Sequence, residues 1–193
     1  MSFTPEFELG FWNAWIFVLL SLLIGFVSWS LIGKKAMKKF RCVPNGPKTG
    51  AKKTSQKLFL LLAIASMVYS VFLPIKLGTL WFYAGLTIWV LSMVTSLISI
   101  VAFGNTPLDE LVSKGTYRLS RNPIFLSGFF ADLGIGIACA SWIYMLYAII
   151  DLILMHIYTR AEERFLLEKY GDAYREYMNR TPRWIGIPKS KNE

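Results

Sequence analysis

The feature that most constrains this chain is the length of its apolar runs. A helix crossing roughly 30 Å of hydrocarbon needs about 20 mostly apolar residues. Runs at about 11–32, 58–75, 80–103, 124–140 and 142–158 approach or meet that requirement. They are continuous rather than alternating, as expected of helices facing lipid. Apolar residues make up 54% of the 193, and mean hydropathy is +0.45, well above a soluble domain of this size. The expected class is all-α: a polytopic membrane domain of about five transmembrane helices, including a tight C-terminal helical hairpin. A polar connector (104–123) and an amphipathic helical tail (159–193) complete it.

Charge fixes the expected orientation. With five crossings, every lysine and arginine except Lys76 falls on one side, in the loop after the first run, the connector and the tail. The positive-inside rule makes that side cytoplasmic and puts the N-terminus outside. An even number of crossings would scatter these cations over both faces. Glu6 and Glu8 stand where a signal peptide carries cations, so the first run reads as a retained span. The net charge of +9 lies beside apolar runs, with no soluble module attached. It therefore indicates head groups and membrane lipids as partners, and no nucleic acid. Cys42 and Cys139 are expected at opposite faces, which excludes a disulfide between them.

Finer features follow. Trp12, Trp15, Trp81, Tyr83, Trp142 and Tyr144 fall at expected outer ends, where amphipathic rings favour the interface. Ser127, Gly128, Ala131, Gly134, Gly136 and Ala138 give the fourth run a small-residue surface for close helix packing, so the hairpin is the expected rigid core. In the tail, two short helices are expected, 161–170 and about 173–179, broken by Gly171 and capped by Asp172. Leu166, Tyr170, Tyr174 and Tyr177 form a stripe on them, suited either to a membrane surface or to covering a site.

Candidate chemistry is sparse. Asn122 and Pro123 suit a helix cap and first turn, and the same geometry presents free N–H groups to an anion. Asp132, Asp151 and His156 are ionisable groups inside expected spans, where either a functional or a hydrogen-bonding role explains them. Asp132 and Asp151 fall at similar depth in the hairpin, an arrangement that a proton-relaying transporter would also use. Glu162 and Glu163 follow the last span beside Arg160 and Arg164, as solvated helix charges or as site residues. No metal-ligand spacing or nucleotide loop is present.

Two blocks resemble a known family. Tyr117, Arg121, Asn122, Pro123 and Phe125, in the stretch from Leu111, resemble the G-x-Y-x-x-x-R-H/N-P-x-Y signature of the isoprenylcysteine carboxyl methyltransferases, which are related to phospholipid methyltransferases. Glu162, Glu163, Leu167, Tyr170, Gly171, Tyr174, Tyr177 and the stretch from Arg180 to Arg183 resemble the second block of that family. The resemblance covers about 104–185. It implies S-adenosylmethionine as methyl donor and a lipophilic acceptor reaching the site between helices. It assigns Tyr117, Arg121, Asn122, Pro123, Phe125, Glu162, Glu163, Tyr174 and Tyr177 to cofactor binding. The catalytic candidates are Glu163, to take an acceptor proton or hold the cofactor's amino group, and Arg160 or Arg121, to orient a carboxylate or phosphate.

Two departures bear on the acceptor. Asn122 replaces the common His, which removes any imidazole role. Tyr158 stands where relatives acting on a carboxylate carry Arg, which disfavours a prenylcysteine carboxylate. The implied reaction is methyl transfer to a lipid-like acceptor, with a phospholipid, amine or thiol acceptor as the alternative.

Overall fold

Helix-forming segments separated by few breakers give a fold that is all-helical among the described residues, which are 7–42, 50–107 and 110–186 of a computed structural model. The helices are α1 (Trp15–Cys42), α2 (Gly50–Phe72), α3 (Leu80–Asn105), α4 (Pro123–Ala138), α5 (Trp142–Tyr170) and α6 (Asp172–Arg180), with a short 3-10 helix at Gly115–Arg118. The turn expected at Pro44 to Pro47 and the cations Lys48, Lys189 and Lys191 lie outside the described residues.

The helices overrun the expected spans. Lys34 to Lys57 reads as a loop in the sequence, yet α1 continues to Cys42 and α2 begins at Gly50. Lys, Ala, Met and Gln are good helix formers, and between Gly33 and Pro44 nothing stops the helix. The tail is corrected in the same way. The helix expected at 161–170 is the continuation of α5, unbroken from Trp142 to Tyr170. Gly171 does break it, at φ 56°, a conformation that disfavours a side chain. Gly171 also occupies the cap position, so Asp172 is the first residue of α6 and pairs with Arg175 at 2.9 Å instead of capping.

Two helices, Leu80–Asn105 and Trp142–Tyr170, are long and apolar enough to cross a membrane. Only 22% and 28% of their most apolar windows are buried, which distinguishes them from the core helices of a soluble protein. The other apolar helical stretches, Trp15–Ser30, Lys57–Phe72 and Pro123–Ala138, are shorter. Large apolar side chains stand exposed on α1, α2, α3 and α5, among them Phe26, Leu61, Leu91 and Ile153. Such a surface suits lipid far better than water.

The most extensive helix packing is α3 on α4. Gly85 lies against the backbone of Gly134 and Ala138, and a Cβ on Gly134 would sit 2.8 Å from the Gly85 carbonyl oxygen and 2.9 Å from the Trp89 nitrogen. Small residues therefore bring two backbones together, and van der Waals contact replaces the missing hydrophobic drive. The hairpin of α4 and α5 adds Gly136 against Met145, while a Cβ on Gly128 would meet nothing within 4 Å. The rigid core is thus α3–α4 together with the hairpin. Around it pack Phe17, Trp89, Ile135 and Tyr144. Tyr144, expected as an interfacial anchor, is instead 1% exposed and stacks on Tyr69, whereas Trp12, Trp81, Tyr83 and Trp142 are exposed.

Candidate functional site

Hydrogen bonds bring the two sequence blocks together at the end of the bundle where α3 ends and α4 begins. Ser99 on α3 meets Thr116 of the 3-10 helix at 2.9 Å, fixing the connector against α3. The segment after α6 then closes over the connector. Arg121 N–H donates to the Pro182 carbonyl at 3.0 Å, and Ser120 Oγ to the Arg183 carbonyl at 3.1 Å. Asn122 stands at the N-cap of α4 without making a side-chain cap bond. Its amide donates instead to the Arg183 carbonyl at 3.3 Å, so the expected capping role is replaced by a tether to the tail. Pro123 opens α4 and is buried. From α6, the Tyr177 hydroxyl donates to the Tyr117 carbonyl at 2.7 Å.

An ion cluster lies at the centre of this junction. Glu163 is 5% exposed, and its oxygens accept from Arg183 Nε at 3.0 and 3.1 Å and from Nη2 at 2.5 Å. Fork-to-carboxylate geometry of this kind is strong and directional. Hydrogen bonding to Glu163 raises the Arg183 pKa and keeps its guanidinium charged. On the other side, Arg121 Nη1 is 3.2 Å from Glu163 Oε1, an ion-pair contact whose angle makes no hydrogen bond. Arg121 Nε is likewise buried without a hydrogen-bond partner among the described residues. A buried arginine with unsatisfied donors calls for an explanation, such as a ligand, an ion or water.

Arg121 is also among the residues that line a cavity of about 240 Å³. Its walls are largely aromatic, with Trp29, Phe103, Tyr117, Phe125, Tyr158, Tyr170, Tyr174 and Tyr177 around it. Its polar groups are Arg121, Asn122, Glu110 and Glu162. Burial, and after it the charge of Glu162, pushes the Tyr117 hydroxyl well above its ordinary range. Burial also raises Tyr174 and Tyr177, so all three phenols stay neutral through physiological pH. Aromatic faces with nearby carboxylates favour a cationic ligand group.

Of the residues singled out in the sequence, Tyr117, Arg121, Asn122, Pro123, Phe125, Glu162, Tyr174 and Tyr177 all line this cavity. Glu163 stands behind it, in ion-pair contact with Arg121. Arg160 is exposed and is not among the lining residues. Arg183 and Glu110 are additions from the structure. Arg183 ends the Arg180 to Arg183 stretch that carries part of the family resemblance, but that resemblance gives it no site role. Asp151 is buried with Oδ1 unbonded, and it acts electrostatically on Asp132, so the two share the hairpin interior as their depth implied. No group of His, Cys, Asp and Glu suited to a metal occurs among the described residues.

Comparison with known proteins fits this geometry. No curated protein matches the chain in sequence. The family model described as phospholipid methyltransferase matches residues 75–173, from the turn before α3 to the start of α6. That segment holds Tyr117, Arg121, Glu162 and Glu163 but stops short of Tyr174, Tyr177 and Arg183. It bears out the resemblance at the level of the wider group of membrane methyltransferases. The match spans half of the chain, and the chain belongs to the phospholipid methyltransferase family.

Proposed function

We propose that this protein transfers a methyl group from S-adenosylmethionine to a lipid-like acceptor at the cavity between Arg121 and Glu162. The observation that carries this reading is a cavity that combines Arg121 with an aromatic, carboxylate-bearing wall. A ligand that is an amino acid at one end and a sulfonium at its centre fits both features. Arg121, which lines the cavity, would hold its carboxylate. Glu162 and Glu110 would face its ammonium, and the rings of Tyr117, Tyr170 and Tyr174 would take its flat base and positive sulfur.

When bound, S-adenosylmethionine supplies an electrophilic methyl group. The protein's part is alignment and exclusion of water, because in-line displacement gains most from fixed geometry in a desolvated pocket. Glu163 acts as a positioning residue, with both oxygens engaged by Arg183 and one by Arg121. Five membrane crossings, with the cation-rich side and the cavity in the cytoplasm, complete the proposal. That topology explains why Arg121 and Glu163 share one end of the bundle.

Among acceptors, the geometry favours an amine head group over a carboxylate. Tyr158 lines the cavity and meets Phe125 edge-on, with ring centroids 5.8 Å apart. It supplies an aromatic wall where a carboxylate acceptor would need a cation. Purified protein reconstituted with a membrane lipid extract and labelled methyl donor tests the whole reading. Label is expected in an amine-bearing lipid. Label in a water-soluble thiol, or no transfer at all, contradicts the lipid assignment.

A further inference from the structure

His156 does not line the cavity, yet it is bonded to the segment that closes over the connector. In that segment the Pro182 carbonyl accepts from Arg121 N–H, and the Arg183 carbonyl accepts from Ser120 and Asn122. The Arg183 side chain holds Glu163, which in turn contacts Arg121 at the cavity. Trp184 comes next and sets its ring beside His156, with centroids 6.2 Å apart. Its indole Nε1–H donates to His156 Nδ1 at 3.2 Å.

Two donors therefore aim at one imidazole. Arg183 Nη1 is directed at His156 Nε2, 3.5 Å away, and neither an indole nor a guanidinium nitrogen can accept. A neutral imidazole carries a lone pair on only one ring nitrogen, so it accepts from Trp184 or from Arg183 but not from both. The Trp184 contact is the shorter. A protonated ring accepts from neither, and each contact then sets donor against donor. The charged groups facing His156 are Arg160 and Glu163 on α5 and Arg183 on the closing segment. Glu163 is already engaged by Arg183 and Arg121, so an added proton would meet two guanidinium groups without a spare counter-charge.

We infer that His156 is a positioning residue for the cavity: its neutral ring latches Trp184, which keeps Arg183, Glu163 and Arg121 in register, and a proton on the ring opens the latch. The latch needs the deprotonated ring, so it is closed above the imidazole pKa and lost as pH falls through it. An ordinary histidine titrates near about 6.5, which puts the change just below neutral pH. That the ligand controlled in this way is S-adenosylmethionine rests on the proposed function; the latch itself does not.

Full-length protein in a sugar-based detergent tests both parts. His156 is the single histidine of the chain, so isotope-labelled histidine gives one imidazole signal to follow with pH. The Trp184 indole N–H, identified by its loss in Trp184→Phe, should exchange slowly with solvent while the ring is neutral. It should exchange fast once the imidazole titrates. Calorimetry over the same pH range should show S-adenosylmethionine affinity falling about fivefold, the effect of losing one hydrogen bond. His156→Asn sets a carbonyl oxygen near the place of Nδ1 and cannot titrate. It should keep the affinity the parent has with a neutral ring, without the fall. Trp184→Phe leaves α5 untouched and should bind about fivefold more weakly throughout, with no step where the imidazole titrates.

An indole N–H whose exchange ignores the imidazole titration would overturn the latch, as would a ring that stays neutral until the protein unfolds. An equal fall in affinity in the parent and in Trp184→Phe would overturn its link to the cavity. No donor binding at any pH would instead contradict the methyl-transfer reading, and the indole signal would still decide the latch.

Discussion

The two ends of the α3–α4–α5 assembly use opposite chemistry. Near Ala138 the helices close through glycine, with Gly85 and Gly134 in backbone contact and no room for a Cβ on either. Near Arg121 they carry large aromatic and charged side chains and leave a cavity between them. Helix association in lipid has little hydrophobic drive, so close packing at one end supplies the cohesion. That cohesion allows the other end to hold a buried ion cluster beside an open cavity.

Breaking the polar end should have the largest effect. Glu163→Gln leaves Arg121 and Arg183 facing each other without their counter-charge, and loss of one partner from a buried ion cluster costs about 3 kcal/mol or more. A fall in Tm in detergent and loss of donor binding are both expected. At the packed end, Gly134→Val forces a branched side chain onto the α3 backbone. Overpacking of this kind costs about 1–3 kcal/mol, read as a lower Tm with cavity ligand binding reduced only in proportion. Gly128→Ala is the matched control on the same helix, with open space at its Cβ, and its Tm should stay within experimental error of the parent.

Smaller changes sharpen the contrast. Tyr177→Phe removes the bond to the Tyr117 carbonyl, a loss of about 1 kcal/mol, and should loosen α6 rather than the membrane helices. Hydrogen exchange at the α6 amides would show it. The phenols also set an alkaline limit. The pKa values of Tyr117, Tyr174 and Tyr177 are raised in the folded state, so the stability linked to them is complete below the ordinary tyrosine value near 10. It is lost as pH rises above 10 and the unfolded chain ionises first. Phenolate absorbance from these three should therefore appear together with unfolding rather than before it.

Much of this contrast was legible in the sequence. The apolar runs located the helices, and the blocks around Arg121 and Glu163 identified eight of the residues lining the cavity, but not Trp29, Phe103 or Glu110. Helix ends were less legible, because Lys34 to Cys42 and Thr159 to Tyr170 are good helix formers and a hydropathy boundary says nothing about where such a helix stops. The pairing of Arg183 with Glu163 was hidden because the two are 20 residues apart and the chain reverses at Gly171 between them. The cap reading of Asn122 failed for a related reason, since the Arg183 carbonyl competes for its amide. Tyr144 looked like an interfacial anchor because its ring is amphipathic, but tertiary stacking on Tyr69 buries it.

The most direct test is calorimetry of S-adenosylmethionine binding to the purified protein in detergent, with Arg121→Gln beside it. Saturable binding by the parent, weakened at least about tenfold in the variant by loss of a charge-assisted contact, is the expected result. No binding heat at millimolar ligand, or equal affinity in the two proteins, would contradict the assignment of the Arg121 cavity as the donor site.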